Sequence, residues 1–158
     1  MPSVPALLLS QFAGFARESV LTHEQWRLPF LPPRDDLPAS RFKVSLHLPC
    51  YAEPPEVVID TINRLAALDY DDYEVLVCDN NTRDEKLWKP LEAHCRLLNE
   101  RLGFERFRFF HLAALPGAKA GALNFLLEKM APDAQIIGVV DADYLSRSDF
   151  LARLVPYF

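Results

Sequence analysis

Residues 136–143, Ile-Ile-Gly-Val-Val-Asp-Ala-Asp, form a short apolar run that ends in two carboxylates separated by one alanine. Such a run predicts a strand buried in a sheet, with Asp141 and Asp143 at its carboxyl end. In an open parallel sheet, that end of the strands is where ligand crevices form. Two acidic side chains at this place suit a hard divalent cation, Mg²⁺ or Mn²⁺, that holds a diphosphate.

The composition indicates a folded and slightly acidic chain. Hydrophobic residues make up 50% of the 158 residues, and the formal net charge is −5. We therefore expect a real core and no binding to nucleic acid, because no basic excess is available to neutralise phosphates. The three cysteines show no metal-ligand spacing, which favours buried, reduced thiols in a cytoplasmic setting.

The N-terminal part of the chain is predicted to stand apart from the folded domain. Residues 5–20 are rich in Leu and Phe and predict a short helix, too apolar for a solvated tail yet too short to span a bilayer. We expect this segment to lie at a membrane surface, against a missing neighbour or on the domain itself. Four prolines mark residues 27–40 as a linker. The predicted division is thus 1–41 and 42–158.

Strands and helices are predicted to alternate along the rest of the chain. The predicted strands are residues 44–48, 74–78, 106–111 and 135–140. Predicted helices start at Pro54–Pro55, after a capping box of Thr82 and Glu85, at Lys119 and at Phe150, with a kink or restart at Pro90. The first helix is predicted to bury a core stripe of Val58, Ile62 and Leu65, and the Lys119 helix to turn inward Leu123, Leu126, Leu127 and Met130. This alternation predicts an α/β fold: a Rossmann-like, doubly wound parallel sheet with strand order 3-2-1-4.

The predicted strand order brings separate polar segments to one crevice. The first and fourth strands become neighbours, and the winding reverses between them, so residues 49–53 are expected to face Asp141 and Asp143. Asp79, after the second strand, fits either a ligand hydroxyl or base edge or a loop cap. Lys119 fits either a phosphate at a helix start or a solvated lysine. His47 and His111 are expected to be core or sheet-face residues.

Four segments in this order resemble the motifs of family-2 glycosyltransferases with the GT-A fold. They are residues 48–53 (Leu-Pro-Cys-Tyr-Ala-Glu), 77–81 (Val-Cys-Asp-Asn-Asn), 119–124 (Lys-Ala-Gly-Ala-Leu-Asn) and 141–143 (Asp-Ala-Asp). The resemblance covers about residues 43–158, and Ala52 stands where the family usually has Asn. The form of the third segment is similar to that of the processive cellulose synthases and bacterial β-glucan synthases.

The resemblance implies roles for particular residues. Tyr51, Glu53 and Asp79 would hold a uridine, Lys119 would approach the diphosphate, and Asp141 and Asp143 would hold Mg²⁺ or Mn²⁺. The implied nucleotide-binding set is Tyr51, Glu53, Asp79, Asn81, Lys119 and Asp141. No catalytic residue is assigned, because the family's base belongs to a motif expected further along the chain.

The resemblance also implies a function and a setting. The donor is expected to be a UDP-sugar, in particular UDP-glucose, and the acceptor a growing β-glucan-type polysaccharide at the inner, cytoplasmic face of a bacterial membrane. The chain is expected to be a GT-A nucleotide-sugar-binding domain that stops before the acceptor half, and not to catalyse transfer alone. Two alternatives stay open, a non-catalytic nucleotide-binding fragment or interaction module and a nucleotidyltransferase.

Overall fold

The computed structural model of the chain describes residues 42–158. Four strands alternate with helices: β1 (Val44–Cys50), α1 (Pro55–Ala66), β2 (Tyr73–Asn80), α2 (Glu85–Leu102), β3 (Phe107–Leu112), α3 (Ala118–Lys129), β4 (Ile136–Val139) and α4 (Phe150–Leu154), followed by a 3₁₀ turn, Val155–Tyr157. All strands pair in parallel in the order β3-β2-β1-β4. The predicted fold class and strand order are therefore confirmed. The predicted helix at 5–20 and the linker at 27–40 lie outside the described residues.

The sheet is covered by helices on both faces, and the larger core lies under α1 and α2. The predicted apolar stripe of α1 is confirmed, because Val58, Ile62 and Leu65 are at most 1% exposed. Full burial of one such side chain stabilises the fold by roughly 1.5–3 kcal/mol. The opposite face is smaller and packs Leu76 and Cys78 against α3. Within residues 42–158, no helix is both long and apolar enough to cross a membrane.

The start of α2 differs from the prediction. Asp84 caps the helix, its carboxylate accepting from the Lys86 amide at 3.0 Å, and Thr82 is bound elsewhere. The helix also runs without a break through Pro90. Proline removes one helical hydrogen bond, but the residues that follow it hold the helix on the sheet, since Leu91 and Cys95 are each only 2% exposed.

One predicted burial pattern was wrong, and a second was wrong at one residue. The β4 run was expected to be buried throughout, yet Ile137 is 44% and Val139 is 53% exposed. The reason is that β4 is an edge strand of the described sheet and has one uncovered face. In α3 the inward stripe was expected to include Leu127, which is exposed, whereas Ala122 and Leu126 are fully buried.

All three cysteines of the described residues are free and buried, in agreement with the prediction. Burial raises the pKa of Cys78 to about 11 and the pKa of Cys95 to about 12. Both thiols therefore stay protonated at neutral pH and serve as small apolar side chains.

We expect the stability of the domain to depend on pH through His47. Burial lowers the pKa of this side chain below its ordinary value, although the nearby Glu74 opposes the shift. As the pH falls through about 6.5, the unfolded chain takes up a proton before the native state does. The free energy of unfolding therefore decreases as the pH is lowered, by up to roughly 1.4 kcal/mol per pH unit. Urea unfolding between about pH 7 and pH 5.5 measures this slope.

The matched variant is His47→Gln, which removes the titrating group from the same buried position. Its slope of unfolding free energy against pH should be smaller than that of the wild type over the same interval. Equal slopes would assign the acid sensitivity to another group, such as His94, whose pKa burial also lowers.

Candidate functional site

An open cleft of about 680 Å³ lies where β1, β2 and β4 end. It occupies the point at which the strand order reverses between β1 and β4, as expected for an open α/β sheet. Six of the seven predicted site residues line it: Tyr51, Glu53, Asn81, Lys119, Asp141 and Asp143. The fold thus brings together segments that are far apart in the sequence.

Asp141 and Asp143 project from the same side of the chain beyond β4. The chain turns here, with the Tyr144 amide donating to the Asp141 carbonyl at 3.0 Å. Both carboxylates are exposed and line the cleft, while Ala142 between them is only 7% exposed. Helix α1 anchors this segment, because the Thr61 hydroxyl donates to the Ala142 carbonyl at 2.7 Å. The spacing of the two acidic residues therefore becomes a pair of carboxylates on a fixed backbone.

Lys119 pairs with Asp141 across the cleft. The lysine is in the first turn of α3, where a cation is normally disfavoured by the helix dipole. Both side chains are more than half exposed, at 55% and 64%, so solvent screens the pair and it contributes little to stability. Its effect is to place an ammonium group, and the amino end of α3, beside the carboxylates.

The carboxylate pair fits a divalent ion held jointly with a substrate. No group of three or more His, Cys, Asp or Glu side chains within residues 42–158 is arranged to hold a metal. Mg²⁺ is usually bound through one or two carboxylates together with substrate phosphates, and not by a cage made of protein ligands alone.

The loop after β1 forms one wall of the cleft. Tyr51 is 61% exposed there, and its amide donates to the Glu53 carboxylate. Ala52 lies between them with φ of 53°, a left-handed conformation that costs an L-residue about 1–2 kcal/mol. Its amide donates to the Thr82 hydroxyl at 2.8 Å.

The end of β2 forms the opposite wall of the cleft. The side-chain amide of Asn80 donates to the Ala118 carbonyl at 2.6 Å. Asn81 makes a reciprocal pair with Leu115, donating to its carbonyl at 2.8 Å and accepting from its amide at 2.7 Å. These bonds fix the segment that leads into α3 and hence the position of Lys119.

Backbone strain within residues 42–158 is concentrated at the cleft. The non-glycine residues with positive φ there are Ala52, Asn81 and Ala118, at 53°, 65° and 47°. Two of them line the cleft, and Ala52 lies between two lining residues. Strain persists where the surrounding structure over-determines it, and it clusters at functional sites.

Together these features place an ammonium group, a helix amino end and two carboxylates in one cleft at a topological switch point. Comparison with known proteins then assigns the family of the chain. The sequence profile of Glycosyl transferase family 2 matches residues 45–158. The chain belongs to this family. Membership in a glycosyltransferase family disfavours the nucleotidyltransferase alternative.

Similar proteins extend this assignment. The family-2 chain is 36% identical over 113 residues to the beta-monoglucosyldiacylglycerol synthase of Synechocystis sp., covering 68% of the chain and 21% of the synthase. Its fold resembles the mannosyltransferase PcManGT of Pyrobaculum calidifontis, solved with GDP-Man and Mn²⁺, with a TM-score of 0.64 and 22% identity over 96% of the chain and 42% of that protein.

A second similar structure was solved with a different nucleotide sugar. It is S. aureus TarS 1-349 in complex with UDP-GlcNAc, with a TM-score of 0.54 and 19% identity over 73% of the chain and 31% of that protein. At these identities the two structures support the GT-A fold alone. The family-2 chain spans about a fifth of the synthase and less than half of either solved structure.

Asp79 is the predicted site residue that the fold keeps out of the cleft. It is 2% exposed and accepts from the Thr82 hydroxyl at 2.6 Å and from His111 Nδ1 at 2.8 Å. The predicted contact between Asp79 and a base therefore has no support in this geometry and stays a prediction. Adjacent strand residues point to opposite faces, and it is Asn80 that lines the cleft.

Sequence reasoning missed three polar residues of the site. Asn80 and Thr82 were seen as part of a motif or as a helix cap, and His111 only as a sheet-face residue. Nothing in the sequence indicated that Thr82 would meet Ala52 or that His111 would meet Asp79.

Cys50 also lines the cleft, but its thiol is unreactive. Its thiol donates to the Cys78 carbonyl at 3.6 Å. Burial, reinforced by the charge of Asp79, raises the pKa of the Cys50 thiol far above its ordinary value. A thiol that stays protonated is neither a nucleophile nor a good metal ligand.

Proposed function

We propose that the cleft binds a UDP-sugar, with UDP-glucose as the natural donor, together with Mg²⁺ or Mn²⁺ for glycosyl transfer. The observation that carries this proposal is the pair of exposed carboxylates, Asp141 and Asp143, facing the amino end of α3 and Lys119 in one cleft. A nucleoside diphosphate has the complementary parts: a diphosphate for the helix end and an ion shared with the carboxylates.

Each wall of the cleft has a separate task in this proposal. Asp141 and Asp143 hold the ion, which when bound supplies Lewis-acid stabilisation of the departing diphosphate. Lys119 and the first amides of α3 neutralise phosphate charge. The exposed ring of Tyr51 offers a face on which a uracil can stack, and Glu53 and Asn81 complete the nucleotide side.

Calorimetry with a panel of nucleotide sugars tests the donor. We expect UDP-glucose to bind in Mn²⁺ and to bind far more weakly when EDTA removes the ion. GDP-mannose and CDP-glucose are the matched comparisons for the base. Tighter binding of GDP-mannose than of UDP-glucose, or UDP-glucose binding that is unchanged by EDTA, would contradict the proposal.

Two acceptors are candidates. A growing β-glucan-type polysaccharide follows from the resemblance of residues 119–124 to processive synthases. A diacylglycerol-type lipid is favoured by the relative of 36% identity, which is named for a glucosylated diacylglycerol. UDP release by the full-length protein that contains this segment, measured with cello-oligosaccharide and with diacylglycerol micelles, distinguishes the two acceptors.

We further propose that residues 42–158 bind the donor without completing transfer. The cleft residues described above hold the nucleotide and ion, and acceptor binding is assigned to other parts of the protein. Acceptor-dependent UDP release by the 158-residue chain, abolished by Asp143→Ala, would show that transfer needs nothing further. Donor binding without any such release agrees with this proposal and with the non-catalytic binding module as the runner-up.

A membrane-surface location is proposed for the parent protein, at the cytoplasmic face of a bacterial membrane. It rests on the apolar residues between positions 5 and 20. Co-flotation of the chain with anionic vesicles tests it, with Leu8→Ser/Phe12→Ser as the comparison. Equal flotation of both proteins would remove the support for this location.

Replacing Lys119 with glutamine should weaken diphosphate binding selectively. The change removes the charge beside the phosphates, so we expect the Kd for UDP to rise by about tenfold, or roughly 1.4 kcal/mol, while uridine binding changes little. Lys89→Gln is the control, because Lys89 is an exposed lysine paired with Glu85 on α2. Parallel losses of UDP and uridine affinity would mean that Lys119 does not act on the phosphates.

A further inference from the structure

We propose that Asp79 and Thr82 position the loop after β1 and thereby set the nucleotide affinity of the cleft without contacting the nucleotide. The inference rests on the proposed function for its affinity effect. It assigns Asp79 a different role from the base contact that the family resemblance implies. The structural part, an anchor for Ala52, can be tested with no ligand present.

The direction of the hydrogen bonds defines the anchor. A backbone amide can only donate, so the Thr82 hydroxyl oxygen accepts from Ala52 at 2.8 Å. The one proton of that hydroxyl is then free to point at the Asp79 carboxylate, 2.6 Å away. Thr82 therefore relays the position of Asp79, which belongs to the sheet, to a loop 30 residues earlier.

Asp79 is itself held rigidly. Its second carboxylate oxygen bonds His111 Nδ1 on β3 at 2.8 Å. The His111 ring stacks on Trp88 with centroids 4.1 Å apart and planes within 10°. The contacts of Asp79 thus extend from β2 to β3 and α2. Both of its carboxylate oxygens are already hydrogen-bonded in the absence of a ligand.

The anchored residue is strained, which explains why an anchor is needed. Ala52 has φ of 53°, and the residues on either side of it, Tyr51 and Glu53, both line the cleft. An alanine freed from the Thr82 bond would return to negative φ, which L-residues strongly prefer. That rotation would displace both cleft residues, so the loss would appear as weaker ligand binding.

Two substitutions at one position test the anchor. Thr82→Val keeps the shape and removes the hydroxyl, whereas Thr82→Ser keeps the hydroxyl. Amide exchange of Ala52, followed by NMR in the absence of ligand, should speed up by at least about tenfold in Thr82→Val and stay near wild type in Thr82→Ser. If Thr82→Val does not fold, Thr82→Ala serves the same purpose. Unchanged Ala52 exchange in a folded variant lacking the hydroxyl would overturn the anchor.

Nucleotide affinities separate positioning from direct recognition of the base. We expect Asp79→Ala and Thr82→Val to weaken the binding of UDP and of CDP by the same factor, about tenfold. Thr82→Ser should keep the wild-type affinity for both. A loss for UDP alone in Asp79→Ala would overturn the inference, because it is the signature of a carboxylate that reads the uracil N3–H. If wild-type protein binds no nucleotide, the proposed function fails, and the exchange experiment still decides the anchor.

Discussion

Replacing Asp141 or Asp143 with asparagine should abolish most of the metal-dependent binding of UDP-glucose. Each change removes one of the two negative charges that face the proposed ion, and a neutral amide oxygen is a much poorer ligand for a hard cation. We expect the Kd in saturating Mn²⁺ to rise at least about tenfold for either variant, which is roughly 1.4 kcal/mol. Titration calorimetry with and without EDTA isolates the metal-dependent part.

Asp149→Asn is the matched control for this experiment. Asp149 is an aspartate of the same segment, but it pairs with Arg147 and Arg153 and does not line the cleft. Its replacement should leave the metal-dependent affinity unchanged. Wild-type affinity in the double variant Asp141→Asn/Asp143→Asn would rule out these carboxylates as the metal site.

Gly121→Ala should have the largest effect on the fold of the cleft. A Cβ atom at this position would overlap the Pro116 carbonyl oxygen, which is backbone and cannot rotate away. The turn before α3 would have to shift, and the Lys119 side chain with it. We expect a loss of unfolding free energy of at least about 2 kcal/mol, measured by urea denaturation, together with weaker UDP binding.

Alanine substitutions at two other glycines provide comparisons for the loss of stability expected in Gly121→Ala. Gly103→Ala has no atom within 4 Å of the new methyl group but a φ of +77°, so it should cost only the left-handed penalty of about 1–2 kcal/mol. At Gly138 the new Cβ would meet the tip of the fully buried Leu46 side chain at 2.6 Å, so Leu46 would have to shift within the core and this substitution should also be destabilising. A Gly121→Ala protein as stable as Gly103→Ala would mean that the turn is not rigid.

The alternation of elements could be predicted from the sequence because it depends on local periodicity. The helix stripe of Val58, Ile62 and Leu65 and the apolar runs of the strands are properties of neighbouring residues. Chain connectivity and right-handed crossovers then leave few parallel topologies, among them the observed order 3-2-1-4. The same reasoning placed Asp141 and Asp143 at the switch-point crevice, because they directly follow the fourth apolar run and so stand at the carboxyl end of its strand.

Burial was predicted less well, because it depends on what covers a surface and not on the run itself. The β4 sequence is apolar throughout, but its edge position leaves Ile137 and Val139 exposed. In α3, rotation about the helix axis is set by the packing of Ala122 and Leu126 on the sheet. The helical period predicted that Leu126 faces inward but did not separate it from its neighbour Leu127.

The sequence by itself determined the alternating elements, the doubly wound sheet and the pair of carboxylates at its switch point. Only the tertiary structure decided how the end of β2 is used: Asn80 lines the cleft, while Asp79 turns away to meet Thr82 and His111. The physical reason is that local geometry fixes the alternation of side chains along a strand. Only the contact between Asp79 and Thr82 is local. The other partners, His111 for Asp79 and Ala52 for Thr82, are contributed by segments 30 or more residues away.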